Sequence, residues 1–160
     1  MKTASTYIIF ELGNAAYGLR SADVLHVEML EHITPVPNAA PAVEGLVFSR
    51  GQLYPALNLR VRFGLPAAPH TSRTRLLFTQ VHQRTVALIV DSAREFRNLP
   101  ADVIRPVERE LTGIQGNYVQ GIATLNGRSI LLLDVLAVLN LDDPTPVLTA
   151  TNAAGSMAQN

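Results

Sequence analysis

Two stretches of the chain, VEGLVFSRGQLYPALNLRVRF (Val43–Phe63) and VQGIATLNGRSILLLDVLAVL (Val119–Leu139), align without a gap. Gly45 falls on Gly121, Gly51 on Gly127 and Asn58 on Asp134, each at an offset of 76 residues. Each stretch reads as a strand, a turn, a second strand and an Asn- or Asp-capped helical segment. Matching glycines mean matching backbone demands, either φ > 0 or a close approach that leaves no room for a Cβ. Asn126-Gly127 is a strong type I′ hairpin signal, because both turn positions need φ > 0.

Outward from this pair the repeat continues. Ile33-Thr34-Pro35-Val36 matches Ile104-Arg105-Pro106-Val107 at an offset of 71, and Leu19 matches Leu88 at 69. The drift from 69 to 76 points to small insertions, chiefly around Glu110–Gly116. The runs Tyr7–Leu12, Ala16–Leu19, Leu76–Val81 and Val86–Val90 read as strands. Gly13-Asn14 and His82-Gln83-Arg84 lie at the tips of two expected hairpins. With about five short strands per copy, a small closed barrel is the economical way to remove sheet edges. Helix is scarce: Val135–Leu141 is expected to follow Asp134 as cap, with Leu132, Val135, Leu136 and Leu139 on one face, and a helical turn is expected over Leu59–Phe63. Residues 142–160 read as a flexible tail.

Composition narrows the function. Thirteen basic residues balance thirteen acidic ones, so no net charge marks a nucleic-acid or anionic-membrane partner. Hydrophobic residues make up 48% of the chain and charged ones 16%, which excludes disorder. Cysteine is absent, and with it disulfides, thiolate metal sites and Cys nucleophiles. The N-terminus lacks signal-peptide architecture and no run reaches 18 apolar residues, so a cytoplasmic protein without membrane insertion is expected.

Catalytic motifs are missing. The chain has no nucleophile elbow, no Walker loop and no dinucleotide fingerprint. Asp91-Ser92 reads as turn chemistry at a strand end. His26 and His32 are about 20 Å apart on a strand and diverge on a helix, so no metal site is expected from them. Glu28 with Glu31, and Glu108 with Glu110, read as solvated charges. Arg60, Arg62, Arg73 and Arg75 suggest a basic patch of the kind an OB-like nucleic-acid binder uses, but stacking aromatics are thin. An enzyme or small-ligand barrel remains the other alternative, and would require a closed pocket with convergent polar groups. No cofactor is expected.

The assembled motifs resemble the chemotaxis coupling-protein family, the CheW-like proteins. They run Phe10-x-Leu12-Gly13, Tyr17-Gly18-Leu19 through Val27, Ile33-x-x-Val36-Pro37, Pro41-x-Val43-x-Gly45 and Arg50 through Phe63. The second half adds Val90-Asp91, Ile104-x-Pro106, Tyr118-x-x-Gly121 and Ile130 through Asp134. The resemblance covers about Thr6 to Leu141. It implies a mainly β fold of two tandem five-stranded SH3-like barrels around a shared core, with a short C-terminal helix. The expected domain is 1–141, its halves roughly 15–80 and 81–141, with the N-terminal strand 6–13 given to the second half and exchange between halves allowed.

The resemblance further implies a non-enzymatic adaptor. It would bridge methyl-accepting chemoreceptor cytoplasmic tips to the regulatory domain of a CheA-type histidine kinase, or serve an accessory array controlling pili or a second messenger. The family's groove positions correspond to Val24, Val27, Ala93 and Phe96, and its functional arginine to Arg50. Gly45, Gly51, Gly121 and Gly127 are the structural turn positions. Two departures stand out: the family usually reads Asn-Leu where this chain has Phe48-Ser49, and often carries an acid at His26. Both bear on partner choice.

Overall fold

The computed structural model describes residues 4–107 and 118–140. The expected tail 142–160, the insertion around Glu110–Gly116 and the pair Glu108 and Glu110 lie outside the described residues. Among the described residues, eleven strands run in the order β1 (Ala4–Leu12), β2 (Ala15–Arg20), β3 (Val24–Met29), β4 (Val43–Ser49), β5 (Gln52–Asn58), β6 (Arg75–Val81), β7 (Arg84–Val90), β8 (Ser92–Pro100), β9 (Ile104–Arg105), β10 (Val119–Leu125) and β11 (Arg128–Leu133). Two short helices follow β5 and β11: α1 (Leu59–Arg62) and α2 (Val135–Leu139).

The repeat is reproduced down to its irregularities. β4 and β5 pair with a register shift between Val43 and Gly45, and β10 and β11 with one between Val119 and Gly121. The Asn58 N–H donates to Ala42 O and the Asp134 N–H to Tyr118 O, both at 2.7 Å. The Asn58 side chain accepts from the amides of Arg60 and Val61, and that of Asp134 from the amide of Leu136. These caps satisfy backbone donors at the helix starts. Helix α2 buries Val135, Val138 and Leu139, whereas Leu136 points to solvent, unlike the face expected from the sequence.

The strands form a five-stranded sheet, β3-β6-β7-β5-β4, and a six-stranded sheet, β8-β1-β2-β11-β10-β9. Each sheet is rolled, because one chain segment reaches both of its edges. Thus β3 pairs with β6 while Thr34, a few residues on, bridges Leu46 of β4. Likewise β8 pairs with β1 while β9 pairs with β10.

Membership of the sheets departs from the division at residues 15 and 81. That division separates β1 from β2 and β6 from β7, yet each is an intact hairpin. Tight turns at Gly13-Asn14 and His82-Gln83 hold the strands of each hairpin together, so they move as units. Hairpin β1–β2 inserts between β8 and β11, and hairpin β6–β7 between β3 and β5. The two copies thereby exchange whole hairpins.

Exchange explains why these strands are buried on both faces rather than alternating. Tyr7, Ile9 and Ala16 fill the second roll with Leu99, Ala123, Ile130 and Leu132. Val47, Ala56, Leu76, Phe78, Ala87 and Ile89 fill the first. The opposite faces of the same hairpins, with Ile8, Phe10, Tyr17, Leu77 and Leu88, meet in a third cluster between the rolls, which also takes Leu57, Phe63, Tyr118 and Leu139. Continuous apolar runs suit strands covered on both sides.

Candidate functional site

Strand registers place the four residues expected to line a groove, Val24, Val27, Ala93 and Phe96, in two equivalent pairs. On β3, Val24 lies opposite Thr79 and Val27 opposite Leu77. On β8, Ala93 lies opposite Phe10 and Phe96 opposite Ile8. Phe10 and Thr79 occupy equivalent positions of the two hairpins, as do Ile8 and Leu77, each 69 residues apart. Val24 and Ala93 are therefore counterparts, and so are Val27 and Phe96. Both strands also bulge at the same point, at Leu25 and at Arg94.

Paired residues on neighbouring strands share a face. Ile8, Phe10 and Leu77 belong to the shared cluster between the rolls, so all four groove residues face that seam. Val24, Val27 and Ala93 are half-buried against the cluster, and Phe96 stands 57% exposed. The walls are distinct: β3 is an edge of one sheet and β8 an edge of the other.

Arg50 sits elsewhere. It forms the β4–β5 turn with Gly51, both in the left-handed region at φ +51° and +84°. The counterpart turn, Asn126-Gly127, has φ +51° and +77°. Arg50 is exposed and flanked by Phe48 and Leu53, which lie opposite one another and are 69% and 58% exposed. Their counterparts in the second copy are Thr124 and Ser129, so the fold itself does not require apolar side chains there. Gly45 meets a different demand: a Cβ would stand 2.1 Å from the Thr34 carbonyl oxygen. At Gly121 the tightest approach is 3.2 Å, to Ile104 Cγ2.

Several residues read in the sequence as a surface patch or as turn chemistry prove to be internal fasteners. The Arg60 guanidinium grips Asp91 with two hydrogen bonds, Nε to Oδ1 at 2.9 Å and Nη2 to Oδ2 at 2.6 Å. The Gly13 N–H also donates to Asp91 Oδ2, at 2.7 Å. Arg60 and the Gly13 amide hold the Asp91 carboxyl below the usual carboxylate range, outweighing the upward push of burial. Burial pushes Glu11 up, but hydrogen bonds from Arg94, Arg128 and Ser92 hold it below its ordinary value.

Arg62 is fully buried and donates to the carbonyls of Ala137, Val138 and Asn140 at the end of α2. Its guanidinium also lies 5.0 Å from the centre of the Tyr118 ring. The suggested basic patch is thus dismantled, since Arg60 and Arg62 are engaged inside the molecule. No local pattern marks these pairings, because the partners are 31 and 75 or more residues apart.

Nor does the closest Ser–His–acid grouping amount to an activated nucleophile. Ser49 Oγ donates to Glu28, and His26 Nε2 lies 2.8 Å from the same carboxylate oxygen. Both the hydroxyl and the ring nitrogen turn to Glu28, so the imidazole is not set between serine and acid as the base of a catalytic triad. No helix among the described residues is long and apolar enough to cross a membrane.

Residues 6–143 match the model of the CheW-like domain. The chemotaxis protein CheW of Klebsiella aerogenes is 26% identical over 137 residues, 86% of this chain and 82% of that protein. That of Bacillus subtilis is 28% identical over 147 residues, 88% and 90% of the two chains. The crystal structure of the scaffolding protein TtCheW from Thermoanaerobacter tengcongensis superposes with a TM-score of 0.77 at 26% identity, covering 82% of this chain and 90% of that one. The doubled barrel and the extent of the match agree: this chain belongs to the CheW-like domain family.

Proposed function

We propose that the protein is a non-enzymatic adaptor of a chemotaxis-like signalling complex, coupling chemoreceptor cytoplasmic tips to the regulatory domain of a CheA-type histidine kinase. One observation supports this most: the barrel interiors are filled with side chains, while the seam between them offers apolar residues at equivalent positions on two strands. Side chains occupy the interiors of both rolls among the described residues, which favours the surface seam as the place where a partner meets the protein. An apolar seam between two like walls suits an amphipathic helical hairpin, the shape of a receptor tip. In this reading Val24, Val27, Ala93 and Phe96 receive the receptor, and Arg50 supplies a charge-assisted contact at the hairpin tip. The kinase regulatory domain, with the same doubled fold in this family, pairs with a barrel end. Such contacts are individually weak and gain strength from multiple attachment in an array.

Pull-down of the folded protein with a receptor cytoplasmic fragment and with the cognate kinase tests the proposal. Capture of both is expected, and capture of neither contradicts it. An Arg50→Glu variant is expected to weaken partner capture with its thermal midpoint within about 2 °C of the parent, since an exposed substitution changes stability little.

A further inference from the structure

Of the positions singled out in the sequence as departures, His26 and Phe48-Ser49, two meet in space: His26 and Ser49. They lie on β3 and β4, the opposite edges of the five-stranded sheet, and join where that sheet closes. Ser49 Oγ donates to Glu28 Oε2 at 2.5 Å, His26 Nε2 lies 2.8 Å from the same oxygen, and 3.5 Å separates Ser49 Oγ from His26 Nε2. The imidazole stacks on Phe78 of the barrel interior, centroids 4.4 Å apart and planes at 17°. Ser49 is only 4% exposed, and its described side-chain partners are these two residues.

The second barrel is an internal control. At the positions of His26 and Glu28 it carries Glu95 and Arg97, an ion pair of reversed order at 3.1 Å. At the position of Ser49 it carries Leu125. Glu95 and Arg97 are both more than 40% exposed, and no hydrogen bond ties them to β10 among the described residues. Among the described residues, closure of a sheet by side chains between its edge strands is thus seen in the first barrel and not the second.

The position of the cluster gives it a use. β3 carries Val24 and Val27 of the groove, and Ser49 is the last residue before the turn at Arg50. We propose that His26, Glu28 and Ser49 form a positioning unit that couples the receptor groove to the β4–β5 tip, taken as the barrel end that meets the kinase, so that occupation of one surface alters affinity at the other. The proposal rests on the adaptor reading above. A helix seated against Val24 and Val27 loads β3. If β3 shifts, Ser49 either follows Glu28 or is left as a buried hydroxyl without a partner, which is costly. The shift therefore passes to the turn rather than dissipating at the seam.

The test is titration of the full chain with full-length cognate kinase, with and without saturating receptor cytoplasmic fragment. The ratio of the two affinities is the coupling, which for linked sites is typically about 5–150-fold. In Ser49→Ala and in the near-isosteric Glu28→Gln the ratio is expected to fall toward 1, while each partner alone binds within about threefold of the parent, a range typical of lost secondary contacts. Glu95→Gln and Arg97→Gln are expected to leave the ratio unchanged. A parent ratio of 1, or a parent-like ratio in folded Ser49→Ala, overturns the proposal. So does global unfolding of both first-barrel variants, which makes the cluster purely structural. A parent that binds neither partner overturns the adaptor reading instead.

Discussion

At the scale of single residues, the strongest demands fall where side chains tie distant parts of the chain. Asp91 receives two hydrogen bonds from Arg60 and one from the Gly13 amide, joining the β1–β2 turn, α1 and the end of β7. Asp91→Asn is expected to destabilise by about 1.5–3 kcal/mol, the range for a hydrogen bond to a charged group. Because the folded-state pKa of Asp91 is lowered, its contribution is fully present above the ordinary carboxylate pKa of about 3.9 and is lost as pH falls through the lower folded value. Parent and Asp91→Asn should therefore differ in urea midpoint at pH 7 and converge in strong acid. Glycines supply a second residue-scale prediction. Gly45→Ala forces a Cβ onto the backbone of Thr34, where nothing can swing aside. It should cost about 3 kcal/mol or more, at the upper end of overpacking effects. Gly121→Ala meets its neighbours at 3.2 Å and beyond and should cost clearly less. Equal losses in thermal midpoint would contradict this ranking.

Among elements, α2 shows how the second copy depends on the first. The helix is a little over one turn long, too short to persist alone. Asp134 caps its start, while Arg62, from the helix of the other copy, holds its last carbonyls. Arg62→Leu is expected to lower stability by about 3 kcal/mol, since it strands buried carbonyls that Arg62 now satisfies. It should also speed hydrogen exchange of the α2 amides ahead of global unfolding. Unchanged exchange there would rule out Arg62 as the anchor. Both helices and both caps were legible in the sequence, because the Asn58 and Asp134 signals are local. The buried role of Arg62 was not, since its partners lie 75 to 78 residues away and an Arg in an Arg-rich chain carries no mark of burial. Leu136 shows the same limit: a helix just over one turn long has no periodicity to say which leucine faces inward.

Over the whole molecule, the doubled plan was visible in the constant spacing of Gly45, Gly51 and Asn58 from their counterparts. The exchange of hairpins was not visible in full. A repeat says which segments are alike, but not which sheet each joins, and the pairing of β1 with β8 spans more than 80 residues. The His26–Ser49 meeting escaped notice for the same reason, as each residue looked like an isolated departure. Exchange has a physical consequence. Removing residues 1–20 strips β1 and β2 from between β8 and β11, exposing two edges and taking Ile8, Phe10, Leu12, Tyr17 and Leu19 out of the shared cluster. The truncated chain is expected to lose the structure of both barrels together, and the parent to unfold in one transition. A truncated chain with a cooperative thermal transition would show the rolls to be independent.

The apolar seam is the surface proposed above to receive the receptor. Phe96 is its most exposed member, so Phe96→Glu should disturb the groove without disturbing the core. The direct measurement is capture of a receptor cytoplasmic fragment and of the cognate kinase by parent and Phe96→Glu proteins, with thermal midpoints taken alongside. The account predicts at least about a tenfold loss of receptor affinity, the scale of removing an interface anchor, with kinase capture and thermal midpoint retained. Receptor capture equal to the parent by a folded Phe96→Glu protein would contradict it.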